Sequence, residues 1–197
     1  MEVNPLKDRL KDRNIILASG SPRRKQILEE LGLSFSVEIR KVIETYPSHL
    51  SAREVALYLA KLKAEPFKKD LGEQDILITG DTIVCLENEI LGKPKNREEA
   101  FQMLSKLSQK QHQVISSVCL SSKDKTLAFE DITIVHFNKL LKSEIDYYLD
   151  YYQPFDKAGA YGIQEWIGQI GIKKIEGSFY TVMGMPTHLI YENLMKF

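Results

Sequence analysis

The chain contains 197 residues, of which 43% are hydrophobic and 27% charged, and its 27 basic and 27 acidic residues give a formal net charge of +0. This composition is ordinary for a soluble globular protein, and the balanced charge excludes a broadly basic nucleic-acid binder. The charged N-terminal segment 1–14 lacks the apolar stretch of a signal peptide and no apolar run is long enough to span a bilayer, so we expect a cytoplasmic protein without nucleic-acid or membrane partners.

The predicted elements begin with a strand, a turn and a helix. The apolar run Ile15–Ala18 predicts a short buried strand, and Ser21 and Pro22 suit the N-cap and the first position of a helix that continues to about Gly32. Next come a strand at 33–39 and a helix that runs from the Ser51/Glu54 capping box to Pro66. A strand at 75–79, an extended piece at 82–86 and a turn at 87–89 lead to a helix from the Asn96 cap to Leu107. The remaining elements are strands at 112–120 and 127–137, joined by a turn at 122–125, and helices at 143–152 and 187–195.

Alternating strands and helices followed by a long hairpin indicate a mixed α/β sheet rather than a purely parallel one. The length suits one domain, or one domain with two lobes. Cys85 and Cys119 fall in apolar, strand-like runs far apart in the sequence, which predicts buried free thiols rather than a disulfide or a metal cluster.

Residues 19–24, Ser-Gly-Ser-Pro-Arg-Arg, are the most informative stretch. They place Arg23 and Arg24 in the first turn of a helix, where the positive end of the dipole repels cations unless an anion lies between them. Free backbone N–H groups, the dipole and two guanidinium groups together favour a phosphate site. The alternative is a capped helix whose arginines lie in solvent.

Two common phosphate-binding motifs are excluded. Gly92-Lys93 lacks the upstream glycine of a P-loop, and Pro94 stands where the Ser/Thr that holds magnesium is required. The pattern G-x-G-x-x-G does not occur. A P-loop NTPase and a Rossmann dehydrogenase are therefore both disfavoured.

Acidic and basic side chains are the remaining candidates for chemistry. Asp81 follows the predicted strand 75–79, a position from which side chains enter the crevice of many α/β proteins, although a turn-forming aspartate after Gly80 is the alternative. By pattern alone Glu44 is an exposed loop acid, Lys63 is a surface lysine and Lys93 lies in a tight turn.

No other chemistry emerges from the sequence pattern. The small-residue block 156–164 permits close approach of backbone or ligand. His112 and His136 occupy strand positions without metal-ligand spacing, which predicts hydrogen-bonded structural residues, and the serines and cysteines lack a convincing base partner. Cations together with carboxylates suit metal-assisted chemistry on a polyphosphate.

Five blocks of the sequence carry a family resemblance when they are taken together. They are Ala18–Arg24, Ile78–Val84, Leu91–Pro94, Leu104–Val114 and Asp156–Gln164. In this order they resemble the successive motifs of the Maf family of nucleoside triphosphate pyrophosphatases, historically linked to septum formation. The resemblance implies a single Maf-like domain over 1–197, with an elongated mixed α/β sheet, flanking helices and two lobes around a deep cleft, similar to inosine triphosphate pyrophosphatases.

The resemblance also implies an activity and its residues. The reaction is hydrolysis of a nucleoside triphosphate to the monophosphate and pyrophosphate with a divalent metal ion, Mg²⁺ or Mn²⁺. Asp81 matches the family's proton acceptor, and Glu44 matches a loop carboxylate that holds the metal with Asp81; many relatives carry two adjacent acids here, where this chain has Ile43-Glu44. Lys63 and Lys93 match phosphate-binding lysines.

Base choice is implied by three further positions. Arg23, Thr82 and Gln164 match the specificity positions of the branch similar to dTTP/UTP pyrophosphatases. Lys157 lies in the block Asp156–Gly159, which matches the family motif at every position. The expected substrate-binding residues are Ser19, Ser21, Arg23, Arg24, Lys63, Thr82, Lys93, Lys157 and Gln164. A homodimer is also implied. The alternative is a non-catalytic, nucleotide-sensing protein in septum formation and cell-division control, although a mere binder has no need of Asp81.

Overall fold

The computed structural model describes residues 4–197, and the chain divides into two compact units. The first unit comprises the described residues up to Asp81 together with Ser116–Asp131 and Gly184–Phe197. The second comprises Thr82–Ile115 and Ile132–Met183. Residues 1–3 of the N-terminal segment considered above lie outside the described residues. Across residues 4–197, no helix combines the length and the apolar character needed to cross a bilayer.

The described residues form eight α-helices and seven β-strands. Helices α1–α8 span Pro5–Arg9, Pro22–Glu30, Ala52–Ala64, Arg97–Leu107, Lys142–Tyr152, Trp166–Gly171, Phe179–Met183 and Thr187–Leu194. Strands β1–β7 span Asn14–Leu17, Ser36–Val37, Asp75–Leu86, Glu89–Leu91, Gln111–Ser121, Thr126–Phe137 and Ile172–Glu176. Short 3₁₀ turns span Glu65–Phe67 and Ala158–Ala160.

The strands form one mixed sheet, which confirms the predicted fold class. Its order is β2-β1-β3-β5-β6-β7, and β4 pairs with β3. Strand β1 runs parallel to both β2 and β3, whereas β4 is antiparallel to β3 and β7 is antiparallel to β6. The predicted β5–β6 hairpin and the helices on either side of it in sequence are present.

Local capping explains where the main helices begin. Ser21 accepts a hydrogen bond from the backbone N–H of Arg24 at the start of α2, and Ser51 and Glu54 form the predicted capping box at the start of α3. Asn96 caps α4 through the N–H of Glu99. These caps satisfy N–H groups that have no partner inside the helix.

Two predicted strands are wrong in extent. Residues 33–39 form only the two-residue strand β2, whose residues are exposed and therefore lack a buried face to stabilise a longer strand. The pieces 75–79 and 82–86 form one continuous strand, β3, so Asp81 lies within a strand rather than at its end. Glu87 and Asn88, both with positive φ, make the predicted turn into β4.

The core of the first unit lies between helix α3 and the sheet. Its buried cluster comprises Ala60, Ala64, Phe67, Leu71, Leu77 and Cys119. Both cysteines are free and buried, as predicted, and burial raises the pKa of each thiol. Both thiols are therefore weakly reactive.

His112 is a buried structural histidine in the second unit, as predicted. It is 2% exposed, its Nε2 lies 2.7 Å from the Tyr161 hydroxyl, and its ring stacks on Phe137. Its Nδ1 has no hydrogen-bond partner among the described residues. Burial lowers the pKa of His112 to about 3, so the native protein holds it neutral.

Acidification is expected to destabilise the fold through His112. The pKa of His112 is lower in the folded protein than in the unfolded chain, so the unfolded chain binds the proton first as the pH falls. The contribution of neutral His112 to the free energy of unfolding is therefore complete above pH 6.5 and is lost as the pH falls towards 3. Between pH 8 and pH 5 this residue should remove about 2 kcal/mol from the free energy of unfolding. Urea titrations at pH 8 and pH 5 measure this loss in the wild type and in His112→Gln. The free energy of unfolding of His112→Gln should fall by about 2 kcal/mol less than that of the wild type, because glutamine keeps a polar group at the position of Nε2 but does not titrate. Equal losses in both proteins would contradict the assignment.

Candidate active site

The first turn of α2 holds Arg24 against the backbone. Its Nε donates to the carbonyl of Gly184 at 3.1 Å, and its Nη1 donates to the carbonyl of Gly80 at 2.7 Å and to the hydroxyl of Ser19 at 3.4 Å. Removal of the guanidinium from water lowers the pKa of Arg24, and the charge of Asp81 opposes this shift. Arg24 therefore does not lie free in solvent; it joins the β1–α2 turn to β3.

The backbone around Asp81 is held closely on both sides. A Cβ at Gly80 would lie 2.7 Å from the carbonyl oxygen of Ser117, so only glycine permits this approach of neighbouring strands. The hydroxyl of Ser117 donates to the carbonyls of Ala56 and Asp81. Gly80 therefore continues the strand, and this is why it does not end the strand as predicted.

A cation and two carboxylates meet beside this strand. Lys63 Nζ, from the last turn of α3, lies 2.7 Å from Asp81 Oδ1 and 3.0 Å from Glu44 Oε2. The side chain of Asp81 is 12% exposed, that of Lys63 18% and that of Glu44 51%. An ion pair this well removed from water is screened less than one at the surface. The structure thus brings together three predicted residues from a loop, a helix and a strand.

The donor set of this cluster suits a hard divalent cation. Two carboxylates that contact the same ammonium lie near one another, and Mg²⁺ in phosphate-processing sites is held by one or two carboxylates together with substrate phosphates. Within residues 4–197, no three His, Cys, Asp or Glu side chains are grouped to hold a metal ion. Glu44 and Asp81 are the two carboxylates of this cluster that could contribute to such a site.

Three further predicted residues, Lys93, Lys157 and Gln164, lie in the second unit. Lys93 and Gln164 are exposed, whereas Lys157 is buried. The N–H of Gly159 donates to the carbonyl of Gly92 at 3.1 Å, which joins the small-residue block to the turn that carries Lys93. A Cβ at Gly159, where φ is +69°, would lie 3.0 Å from Val84, so this contact requires glycine.

Lys157 has acidic neighbours that the sequence pattern did not indicate. Its Nζ lies 2.8 Å from Asp156 Oδ1 and 3.2 Å from Glu165 Oε1. Glu165 also accepts a hydrogen bond from the hydroxyl of Tyr148. Neither Glu165 nor Tyr148 was predicted as a functional residue, because only the tertiary structure places α5 beside residue 165.

The other predicted residues occupy simpler positions. Ser21 is the N-cap of α2 and Arg23 lies in its first turn, where it is half-buried. Thr82 follows Asp81 on β3 and is half-buried. Ser19 accepts a hydrogen bond from the N–H of Ser21 at 3.3 Å, which shapes the turn before the helix.

Comparison with known proteins identifies the family of this chain. Residues 14–197 match the family model described as Maf-like protein. The chain is 51% identical over 191 residues to the dTTP/UTP pyrophosphatase of Flavobacterium psychrophilum, covering 97% of this chain and 98% of the relative. It is 50% identical over 191 residues to the dTTP/UTP pyrophosphatase of Christiangramia forsetii, covering 97% of each.

Among solved structures, the fold is similar to that of the Staphylococcus aureus Ham1 protein. The TM-score is 0.55 at 18% sequence identity, and the match covers 93% of this chain and 99% of that one. This likeness concerns the fold alone. The match over residues 14–197 and the identity to full-length relatives decide the family: the chain belongs to the Maf-like proteins.

Proposed function

We propose that this protein hydrolyses nucleoside triphosphates, dTTP and UTP in preference, to the nucleoside monophosphate and pyrophosphate. The observation that carries the proposal is the cluster of Lys63, Asp81 and Glu44 in the first unit. Membership of the Maf-like family and the names of the two relatives described above support it. The protein acts in the cytoplasm as a homodimer, and its role is to remove nucleotides from the nucleotide pool.

The triphosphate is held by donors and cations at the start of α2. Ser19, Ser21 and the backbone N–H groups beside them lie at the N-terminus of α2, where the positive end of the helix dipole favours phosphate. Arg24 and Lys63 add positive charge in the first unit, and Lys93 supplies a further phosphate-binding ammonium. When phosphate binds, Lys63 exchanges part of its contact with the carboxylates for phosphate oxygens.

Asp81 accepts the proton of the attacking water as pyrophosphate leaves. Its carboxylate is almost buried, and its backbone is fixed through Gly80 and Ser117, so it needs little reorganisation during the reaction. Proton transfer to a positioned base contributes about 10²–10⁴-fold to a rate. Electrostatic stabilisation by the surrounding cations supplies a further share.

Glu44 and Asp81 would hold the divalent cation, Mg²⁺ or Mn²⁺. When bound, such an ion neutralises phosphate oxygens and makes the phosphorus more electrophilic. Chelation by EDTA is therefore expected to abolish turnover, and added Mg²⁺ is expected to restore it.

Arg23, Thr82 and Gln164 select the base in this proposal, and Gln164 offers the sharpest test. Its amide NH₂ can donate to a carbonyl of uracil or thymine while its oxygen accepts from N3–H. A glutamate at this position would instead place an oxygen against the carbonyl. An unpaired buried polar group costs about 1–3 kcal/mol, or about 5- to 150-fold in preference. Gln164→Glu should therefore lower kcat/KM for dTTP and UTP more than for ATP and GTP. Equal losses for all four would show that Gln164 does not read the base.

The experiment that tests the proposal is pyrophosphate release from a panel of nucleoside triphosphates with Mg²⁺. We expect the largest kcat/KM for dTTP and UTP. Binding of these nucleotides without release of pyrophosphate would instead support the nucleotide-sensing alternative. A preference for purine nucleotides would overturn the assignment of the substrate.

A further inference from the structure

A hydrogen-bonded network in the second unit surrounds the turn that carries Gln164. The hydroxyl of Tyr148 donates to Glu165 Oε2 and accepts from the N–H of Gly162 at 3.0 Å. The N–H of Glu165 donates to the carbonyl of Gly162 at 3.1 Å, which closes the turn. One buried hydroxyl on α5 therefore holds both ends of the turn, at Gly162 and at Glu165.

An ion pair fixes the carboxylate of this network from its other side. Lys157 Nζ lies 3.2 Å from Glu165 Oε1, so Tyr148 and Lys157 bind the two different oxygens of the same carboxylate. The side chain of Lys157 is 10% exposed and that of Glu165 18%. A carboxylate bound at both oxygens in this way has little rotational freedom, and removing either partner leaves a poorly hydrated polar group.

The amide of Gln164 lies against the same backbone position as this carboxylate. A Cβ at Gly162 would lie 2.8 Å from Glu165 Cδ and 3.1 Å from Gln164 Nε2. Gly162 thus leaves room for both groups, and a displacement of the Glu165 side chain changes the space available to the amide. Gln164 itself is exposed, while Gly162 and Ile163 before it are buried.

From this geometry we infer that Tyr148, Glu165 and Lys157 are positioning residues for the choice of nucleobase. This inference rests on the proposed function. The network holds the turn so that the donor and the acceptor of the Gln164 amide face the base in a single orientation. An amide free to rotate offers the same groups to cytosine and to the purines, and its selectivity is then lost.

Tyr148→Phe tests the inference, because it removes only the hydroxyl that joins Gly162 to Glu165. The readout is the ratio of kcat/KM for UTP to kcat/KM for ATP and for CTP. We expect this ratio to fall at least about 5-fold, since the turn loses a buried hydrogen bond at each end. A residue that only supports folding would lower kcat/KM for all three nucleotides equally and leave the ratio unchanged.

Two further variants complete the experiment. Tyr151→Phe removes a hydroxyl from the same helix at a position that is 73% exposed, and it should keep the wild-type ratio. Glu165→Gln keeps an acceptor for Tyr148 but loses the ion pair with Lys157; it should lower the ratio in the same direction and carries the test if Tyr148→Phe does not fold. Thermal melts establish that each variant is folded.

The outcomes separate this inference from the proposed function. If the wild type prefers UTP and the folded variants lose that preference, the inference is supported. If the wild type prefers UTP and both folded variants keep the full preference, the network does not position the amide, and the proposed function stands without it. If the wild type has no preference for UTP, the proposed substrate and this inference both fall.

Discussion

Asp81→Asn is expected to lower kcat for dTTP by at least about 10²-fold, because asparagine cannot accept the proton of the attacking water. The side chains are nearly equal in size, so the strand and the contacts of Gly80 should remain. The variant also loses half of the carboxylate pair that contacts Lys63. Steady-state rates at saturating dTTP and Mg²⁺ measure the effect.

The matched control for this substitution is Asp124→Asn, the same chemical change in the exposed turn between β5 and β6. It should leave kcat unchanged. Coincident melting curves for wild type and Asp81→Asn would establish that the loss is chemical. A folded Asp81→Asn protein with wild-type kcat would remove Asp81 both as the base and as an essential metal ligand.

Lys63→Gln is expected to have the second-largest effect. The ammonium balances Asp81 and Glu44 and is proposed to bind phosphate, so its removal leaves two carboxylates facing an incoming anion. Loss of a charged hydrogen-bonding partner costs about 1.5–3 kcal/mol, which corresponds to a fall of about 10- to 150-fold in kcat/KM for dTTP.

Lys61→Gln makes the same change of charge on the same helix at an exposed position, and it should retain the wild-type kcat/KM. Comparing the two variants at low and high ionic strength separates a local contact from the general field, because screening weakens only the long-range contribution. Equal kcat/KM in the two variants at both salt concentrations would remove Lys63 from the phosphate site.

Local sequence patterns predicted most of the longer elements of this fold. The cap of each of the helices α2 and α3, Ser21 and Ser51, lies within a few residues of the N–H group that it accepts from, and both caps are present, as is the alternation of strands and helices in the N-terminal part of the chain. The short elements α1, β4, α6, β7 and α7 were not predicted, because few residues define each of them. For α1 a local signal was overlooked, since Asn4 caps the helix and Pro5 is its first residue. The formation of β4, α6, β7 and α7 depends on packing within the second unit.

The candidate site shows the same division between local and distant information. Glu44 and Lys63 look like surface residues by pattern, and only the family resemblance identified them; their contact with Asp81 joins a loop, a helix and a strand. Gly80 was interpreted as the end of a strand. It lies within β3 instead, where the absence of a side chain allows the backbone of Ser117, on the later strand β5, to approach closely. Tyr148 and Glu165 had no signal in the sequence, since their hydrogen bond depends on how α5 packs.

The most direct measurement of the central claim is the identity of the products formed from dTTP. Phosphorus NMR of a reaction with Mg²⁺ distinguishes pyrophosphate from orthophosphate, and chromatography distinguishes dTMP from dTDP. We predict that the wild type forms dTMP and pyrophosphate in equal amounts and that Asp81→Asn does not. Formation of dTDP and orthophosphate, or equal pyrophosphate release by the wild type and Asp81→Asn, would contradict it.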